Sequence, residues 1–358
     1  MVRSRTSTCA ALAPVGGAGR VHHPFGSRLG TLGAVLFFGI ATIGAVQFLR
    51  PEGALARAPL SGLGVAMTPA RALPPSASAT LDAFGRSGAV KVRLALPGDR
   101  VEFPMAIAGG GDSLSYQWVS ALDSSASEPA RVLTAAPTIA PMRPGFYRLA
   151  VIRGATREIL AEPSLAVMVP FSRKFGDQVN GYRIGWYLAE RFGRGYDRPT
   201  GFIEVRPEML DLAITKHLKL ADFVTHDDQR EVWPKYVALN PRLLDKLELI
   251  FADLGSRVRP ALVVDMHSGF RSPSHNSRVE NAARDSRHQY GDAADLAVDA
   301  DGDGRITVTD ELLVMLAVER VEERHPDLAG GLGLYTSRRF RRPYVHIDAR
   351  GTRTRWQG

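Results

Sequence analysis

The stretch SRHQYGDAAD at residues 286–295 is where the interpretation of this sequence begins. Its last residue, Asp295, is flanked by Ala294 and Leu296 in an apolar run. A carboxylate in apolar surroundings is costly unless it is paired or binds a metal ion. A bound metal would remove that cost, and we therefore interpret His288 and Asp295 as candidate ligands of one ion.

A second stretch, YVHID at residues 344–348, follows further along the chain. Its polar residues alternate with apolar ones, which predicts a strand with Tyr344, His346 and Asp348 on one face. Added to the first stretch, His346 gives the two imidazoles and one carboxylate that a catalytic zinc ion uses, with water in the fourth position. By spacing alone, the histidines could equally be capping or surface residues.

The segment around these stretches, residues 171–358, mixes two kinds of pattern. Residues 201–205 have the composition of a strand, whereas residues 239–254 carry apolar side chains at three-and-four spacing, which predicts an amphipathic helix. The mixture predicts an α+β domain that carries the candidate zinc ligands.

Residues 89–170 contain short β-type runs separated by Gly, Pro, Ser and Asp, which predicts a small all-β sandwich. The run around Trp118 and the segment PGFY at 144–147 are similar to an immunoglobulin-like module, although no cysteine pair supports that similarity. We assign no chemistry to this segment and expect it to be a spacer or a wall-binding module.

The N-terminal region predicts a membrane anchor. Residues 29–49, LGTLGAVLFFGIATIGAVQFL, carry no charge and have the length of about 20 residues needed to cross a bilayer. Residues 1–28 contain four arginines and no acid, which predicts a cytoplasmic N-terminus and a periplasmic catalytic domain. Residues 50–88 are rich in Ala, Pro, Gly and Ser and are predicted to be a flexible linker. The chain is therefore predicted to be a single-pass protein of the bacterial inner membrane.

A cleaved signal peptide is the alternative to this anchor, because residues 54–56, ALA, resemble a cleavage site. The protein would then be secreted. The formal net charge of +8 suits an anionic partner, but we find no nucleic-acid-binding motif and expect no nucleic-acid partner. The one cysteine, Cys9, precludes an intrachain disulfide.

The stretch DADGDGRITVTD at residues 299–310 is similar to a calcium-binding loop, with acids at positions one, three, five and twelve. We expect a structural calcium ion here. The alternative is an acidic turn in which Thr307 and Asp310 cap a helix over 310–323. The candidate ligands are Asp299, Asp301, Asp303, Asp310 and the backbone carbonyl of Arg305.

Taken together, these motifs resemble those of the D-Ala-D-Ala metallopeptidase family, which includes D,D-carboxypeptidases and murein endopeptidases with a hedgehog-like fold. SGFRSP at 268–273 and the pattern S-x-H-x-x-G-x-A-x-D at 286–295 resemble two family motifs, and His346 matches the late histidine. GGLGLY at 330–335 is similar to the endopeptidase branch. The close resemblance covers roughly residues 235–358.

The resemblance implies that His288, Asp295 and His346 bind zinc, within a domain built on an antiparallel sheet. It also implies that Arg271 polarises the scissile carbonyl and that Ser286 contacts substrate. For Arg271 the alternative is a structural salt bridge, and for Ser286 a local backbone cap.

One position departs from the family pattern, because Pro343 stands where carboxypeptidase-like members have a glutamate base. On the face of the predicted strand, Asp348 is the natural substitute as general base, with an orienting role beside a ligand as the alternative. These features predict a zinc endopeptidase acting on peptidoglycan peptides. A carboxypeptidase and a non-catalytic wall-binding protein are the alternatives.

Overall fold

The computed structural model describes residues 84–102, 114–125, 128–133, 137–160, 162, 164–193, 195–256, 262–336 and 342–358. The predicted anchor at 29–49 and nearly all of the predicted linker lie outside these residues. Within them, no helix is long and apolar enough to cross a membrane.

The described residues up to position 167 form strands and no helix. One sheet has the strand order β1-β8-β6-β3-β4, with β7 also paired to β6, and a second sheet consists of β2 and β5. The strands are β1 (Val92–Ala95), β2 (Arg100–Val101), β3 (Leu114–Ser120), β4 (Arg131–Val132), β5 (Thr138–Ile139), β6 (Gly145–Arg153), β7 (Thr156–Ile159) and β8 (Ser164–Val167).

Buried aromatic side chains on β3 connect these two sheets. The indole of Trp118 is 2% exposed and its Nε1 donates a hydrogen bond of 2.7 Å to the carbonyl of Ile139 on β5. The hydroxyl of Tyr116 accepts a hydrogen bond of 3.1 Å from the backbone N–H of the same residue. The polar tips of both aromatics are therefore satisfied while their rings fill the core.

The rest of the chain is mixed α/β, as predicted. Its strands are β9 (Val169–Pro170), β10 (Gln178–Val179), β11 (Tyr182–Arg183), β12 (Gly201–Val205), β13 (Lys235–Val237), β14 (Val263–Ser268), β15 (Ala293–Asp299), β16 (Gly331–Tyr335), β17 (Tyr344–Asp348) and β18 (Thr354–Gln357). Its α-helices are α1 (Leu188–Phe192), α2 (Pro241–Gly255), α3 (Pro273–Asn276) and α4 (Val308–Arg324). Short 3-10 helices cover Phe171–Arg173, Pro207–Met209, Leu220–Phe223, Arg287–Tyr290 and Pro326–Leu328.

A five-stranded sheet with the order β14-β15-β17-β16-β18 is the centre of this part. Its neighbours are antiparallel except for the parallel pair β16 and β18. Along β17, Val345 and Ile347 belong to the same hydrophobic cluster as residues of α2 and α4. Because side chains alternate along a strand, the other face is left to the polar residues.

Helix α2 begins two residues later than its apolar pattern predicts. The side chain of Asn240 accepts a hydrogen bond from the backbone N–H of Arg242, and Pro241 occupies the first helical position. A capping asparagine followed by proline defines the start of the helix. Proline is tolerated at the first helical position because the N–H that it lacks would have no partner within the helix. Leu243, Leu247 and their apolar neighbours are buried as predicted.

The same hydrophobic cluster takes in residues from both sides of position 170, including Val90, Phe146, Phe202 and Leu247. The sequence-based domain boundary at 170 stays a prediction.

Gly291 ends the turn that carries His288 and has φ of +68°. A Cβ at this position would collide with the carbonyl oxygen of Ala238. We therefore expect Gly291→Ala to lower the free energy of unfolding by about 2 kcal/mol or more, from the left-handed backbone and the collision together.

Urea unfolding would measure this effect, with Gly255→Ala as the matched control. Gly255 lies in α2, and a Cβ added to it would point into open space, so alanine there should stabilise by about 0.5 kcal/mol. An unchanged midpoint for Gly291→Ala would contradict the prediction.

Candidate metal centre

The register of the central sheet brings the polar side chains of several strands into one row. Ser268 pairs with Asp295, Asp295 with His346, His346 with Gly333, and Gly333 with Trp356. Residues directly opposite each other in a sheet share a face. The row therefore places a carboxylate and an imidazole side by side on neighbouring strands.

The third side chain of the cluster comes from the 3-10 helix Arg287–Tyr290, just before β15. His288 Nε2 lies 3.1 Å from Asp295 Oδ1 and 3.2 Å from His346 Nδ1, and His346 Nδ1 lies 2.8 Å from Asp295 Oδ1. These atoms all lie within 4.8 Å of one another, and all three residues are buried. The three predicted ligands thus converge on one point and form a possible metal site.

Each imidazole is oriented by a second partner on the side away from the cluster. His288 Nδ1 lies 2.7 Å from the carbonyl oxygen of Gly269, and His346 Nε2 lies 3.2 Å from Asp348 Oδ2. A proton on each of these outer nitrogens leaves a lone pair on the inner nitrogen. This is the arrangement by which proteins prepare histidines to bind a metal.

Burial and mutual charge perturb the three groups in different directions. Burial lowers the pKa of His288. Burial alone would raise the pKa of Asp295, but the two imidazoles hold it well below its usual range. Burial opposes protonation of His346 as well, yet its contacts with Asp295 and Asp348 raise its pKa. Asp295 therefore stays ionised and supplies the negative charge that a cation needs.

Asp348 lies on the side of the His346 imidazole that faces away from the three candidate ligand atoms. The carboxylate is completely buried and accepts hydrogen bonds from the backbone N–H of Gly331 at 2.8 Å and from Arg350 Nε at 2.9 Å. Although burial would raise its pKa, His346 and Arg350 lower it strongly. Sequence alternation predicted the correct face of β17, but this position favours the orienting role over that of a general base.

All three residues of the cluster line an open cleft of about 850 Å³. Arg271 and Ser286, the other predicted site residues, both line it. Arg271 donates a hydrogen bond of 2.8 Å from Nε to Ser268 Oγ and pairs through Nη2 with Asp295. Ser286 precedes the 3-10 helix without a side-chain capping hydrogen bond, so its hydroxyl is not used as a cap.

Three aromatic side chains lie beside the cluster, and one of them, Trp356, was not singled out by the sequence. Tyr335 and Tyr344 stack with their ring centroids 4.5 Å apart, and the indole of Trp356 lies 5.1 Å from the imidazole of His346. A Cβ on Gly333 would collide with this indole. The glycine spacing of residues 330–335 was the available signal, because glycines on one face of a strand leave room for side chains from its neighbours.

The acidic loop places Asp299, Asp301 and Asp303 close enough to share an ion. Asp310, however, accepts hydrogen bonds from the backbone N–H of Ala300 and from Thr307, with which it forms a capping box at the start of α4. This geometry matches the capping alternative. Calcium at this loop, including the carbonyl of Arg305, stays a prediction without support from the comparisons below.

A mixed α/β domain with two histidines and an aspartate converging in an open cleft is typical of a metal-dependent hydrolase. The family model described as Peptidase M15 matches residues 216–311, a range that contains His288 and Asp295 but ends before His346. The chain is therefore related to the D-Ala-D-Ala metallopeptidases. No curated protein and no solved structure matched the chain.

Proposed function

We propose that this protein is a zinc-dependent peptidase that hydrolyses peptide bonds in peptidoglycan stem peptides or crosslinks, as a murein endopeptidase. The observation that carries the proposal is the convergence of His288 Nε2, Asp295 Oδ1 and His346 Nδ1 at the floor of an open cleft. Two neutral nitrogens and one carboxylate oxygen suit zinc and leave a fourth position for water or substrate.

A bound zinc ion would acidify its water and polarise the scissile carbonyl. The chain's own residues would prepare that chemistry. Hydrogen bonds to the carbonyl of Gly269 and to Asp348 would hold the two imidazoles in the tautomers whose inner nitrogens can bind the ion. Arg271 lines the cleft, pairs with Asp295 of the cluster and presents a fork of N–H donors. Its guanidinium is suited to stabilise an oxyanion or to bind a substrate carboxylate.

Pro343 favours an endopeptidase over the alternative, a carboxypeptidase that trims terminal D-alanine, because it replaces the glutamate of the carboxypeptidase-like members. A non-catalytic wall-binding protein is the second candidate function. The burial of Asp348 behind His346 is the observation that favours it, since that carboxylate does not line the cleft and is poorly placed to deprotonate water there.

The test is elemental analysis of the purified full-length protein together with digestion of purified crosslinked peptidoglycan. We expect about one zinc per chain and loss of product release after chelation, with recovery on adding zinc. The released fragments would identify the scissile bond. A well-folded, zinc-loaded protein that releases no product would refute the peptidase and favour the wall-binding alternative.

Replacing Asp348 with asparagine separates its two possible roles. An orienting partner predicts that zinc affinity falls by about 10- to 100-fold, while activity at saturating zinc is largely retained. Titration with a competing chelator would measure the first quantity, and digestion at high zinc the second. If Asp348 is the general base, the variant should bind zinc normally and lose most of its turnover.

We also propose that the chain is anchored in the bacterial inner membrane by residues 29–49, with its catalytic part in the periplasm where peptidoglycan lies. The support is the uncharged segment preceded by four arginines. Secretion after cleavage is the alternative. Fractionation of cells that produce the full-length chain would distinguish a membrane protein from a secreted one.

For residues 89–170 we propose an immunoglobulin-like module. The strand order β1-β8-β6-β3-β4 beside a β2-β5 sheet, the buried Trp118 on β3 and the hydroxyl of Tyr147, which donates to the carbonyl of Arg143 at 2.8 Å, support it. A tyrosine that bonds to the backbone a few residues upstream is a feature of such sandwiches.

A further inference from the structure

A second cleft, of about 490 Å³, adjoins the open cleft lined by His288, Asp295 and His346, which we call the metal cleft. Val279 and Ala282 line both clefts, so the segment between β14 and β15 forms a shared wall. A polymer with one part in the metal cleft could therefore continue into the second cleft without leaving the protein surface.

One aromatic side chain, Trp186, lines the second cleft, and the ring pair Phe192 and Tyr196 adjoins it through the lining residue Arg284; we call these three the aromatic patch. They are 45%, 55% and 43% exposed, respectively. Trp186 lines the cleft directly, and Arg284, also a lining residue, lies over the ring of Phe192 at 4.9 Å. The ring of Phe192 contacts that of Tyr196 at 6.0 Å between centroids. Clustered exposed apolar side chains of this size mark an interaction site.

A buried polar group in the same cleft lacks a partner. Asn276 is 4% exposed, and its Nδ2 donates a hydrogen bond of 3.0 Å to the carbonyl of Ala283. Among the described residues, its Oδ1 accepts no hydrogen bond. A buried acceptor without a donor costs free energy. A ligand N–H or O–H in the cleft would offset that cost after a small shift of the Asn276 side chain.

We propose that this second cleft binds the N-acetylated amino-sugar glycan strand to which the stem peptides are attached. A pyranose ring presents an apolar C–H face to an aromatic side chain and hydroxyl or amide groups at its edge. Lys174 and Arg284 lie over the rings of Trp186 and Phe192, and the exposed remainder of the aromatic patch supplies the apolar surface. Asn276 and the lining residues Ser274 and Ser277 supply polar partners. The proposal rests on the proposed function, because it assigns the peptide to the metal cleft and the attached glycan to the cleft beside it.

The first test is binding of the full-length protein to peptide-free glycan strands, which does not depend on hydrolysis. We expect the double variant Trp186→Ala/Phe192→Ala to weaken binding on the order of tenfold, from the loss of two aromatic contacts. Trp186→Phe should retain most of the affinity because it keeps a stacking face. The matched control is Leu312→Ala, because Leu312 is 46% exposed on α4 and lies outside both clefts.

The second test compares digestion of intact peptidoglycan with digestion of sugar-free crosslinked stem peptides. The double variant should lose about tenfold in kcat/KM on the first substrate and nothing on the second. Wild-type protein that binds no glycan, or a double variant that binds as well as wild type, would overturn the glycan site. Glycan binding without any peptide hydrolysis would overturn the proposed peptidase and leave the glycan site standing.

Discussion

Replacing His288 with alanine is expected to abolish zinc binding and peptidoglycan hydrolysis together. Its Nε2 is one of the three candidate ligand atoms, and its loss would leave one imidazole and one carboxylate to hold the ion. Removing an orienting partner alone typically costs 10- to 100-fold in metal affinity, so loss of a ligand should cost at least about 100-fold. Turnover should fall by about three orders of magnitude or more, because a bound zinc ion lowers the pKa of its water toward neutrality and water without the ion keeps its far higher pKa.

The measurement is zinc content after dialysis beside the rate of product release from crosslinked peptidoglycan. His226→Ala is the matched control, since this histidine is exposed and does not line the metal cleft. The prediction is wrong if His288→Ala retains stoichiometric zinc, or if it keeps wild-type turnover after losing the metal.

The second large effect is on stability and concerns Lys246, a fully buried residue of α2. Its Nζ donates hydrogen bonds of 2.8 Å to Glu322 Oε1 and 2.6 Å to the backbone carbonyl of Asp348. Glu322 in turn accepts from the backbone N–H of Gly330 and from Arg355. Lys246→Ala would leave Glu322 and the end of β17 without this buried donor, and we expect a loss of about 3–5 kcal/mol.

Urea denaturation of the two proteins would measure the loss, with Lys219→Ala as the control. Lys219 pairs with Asp211 at the surface, where both side chains are more than half exposed, so its replacement should cost less than about 1 kcal/mol. A cost for Lys246→Ala as small as that of the control would show that the buried pair does not support the sheet.

The pH dependence of this contribution has a definite sign. Burial lowers the pKa of Lys246 in the folded state, so the unfolded chain binds more protons between the folded pKa and about 10.4. The stability of wild type relative to Lys246→Met should therefore rise as the pH increases through that interval. Unfolding curves of the two proteins at pH 7 and at pH values up to about 10 would test this, and a constant or falling difference would contradict it.

Local sequence patterns predicted those parts of the site whose geometry follows from neighbouring residues. Alternation along 344–348 predicted the face of His346, and the apolar surroundings of Asp295 singled out its carboxylate. Alternation does not specify which side of the imidazole Asp348 occupies, because that depends on the ring rotamer and on Arg350. Alternation could therefore not decide whether Asp348 acts as a general base or as an orienting partner of His346.

Features that depend on pairing between distant segments could not be predicted in the same way. Trp356 reaches His346 only because β16 and β18 pair in the register that sets the indole over Gly333. Likewise, the start of α2 depends on how Asn240 caps it, although the apolar spacing predicted the helix itself. Asp310 fits two local motifs, a calcium position and a capping box, and only its contacts distinguish them.

The pairing of Asp295 with His346 across β15 and β17 also has a consequence for refolding. A shift of one residue between these strands would turn one of the two side chains to the helix-covered face of the sheet. A chain trapped in such a misaligned state could keep most of its secondary structure, yet it would present too few donor atoms to one cation. Tight metal uptake during refolding would thus report correct strand alignment, a property that circular dichroism alone would not detect.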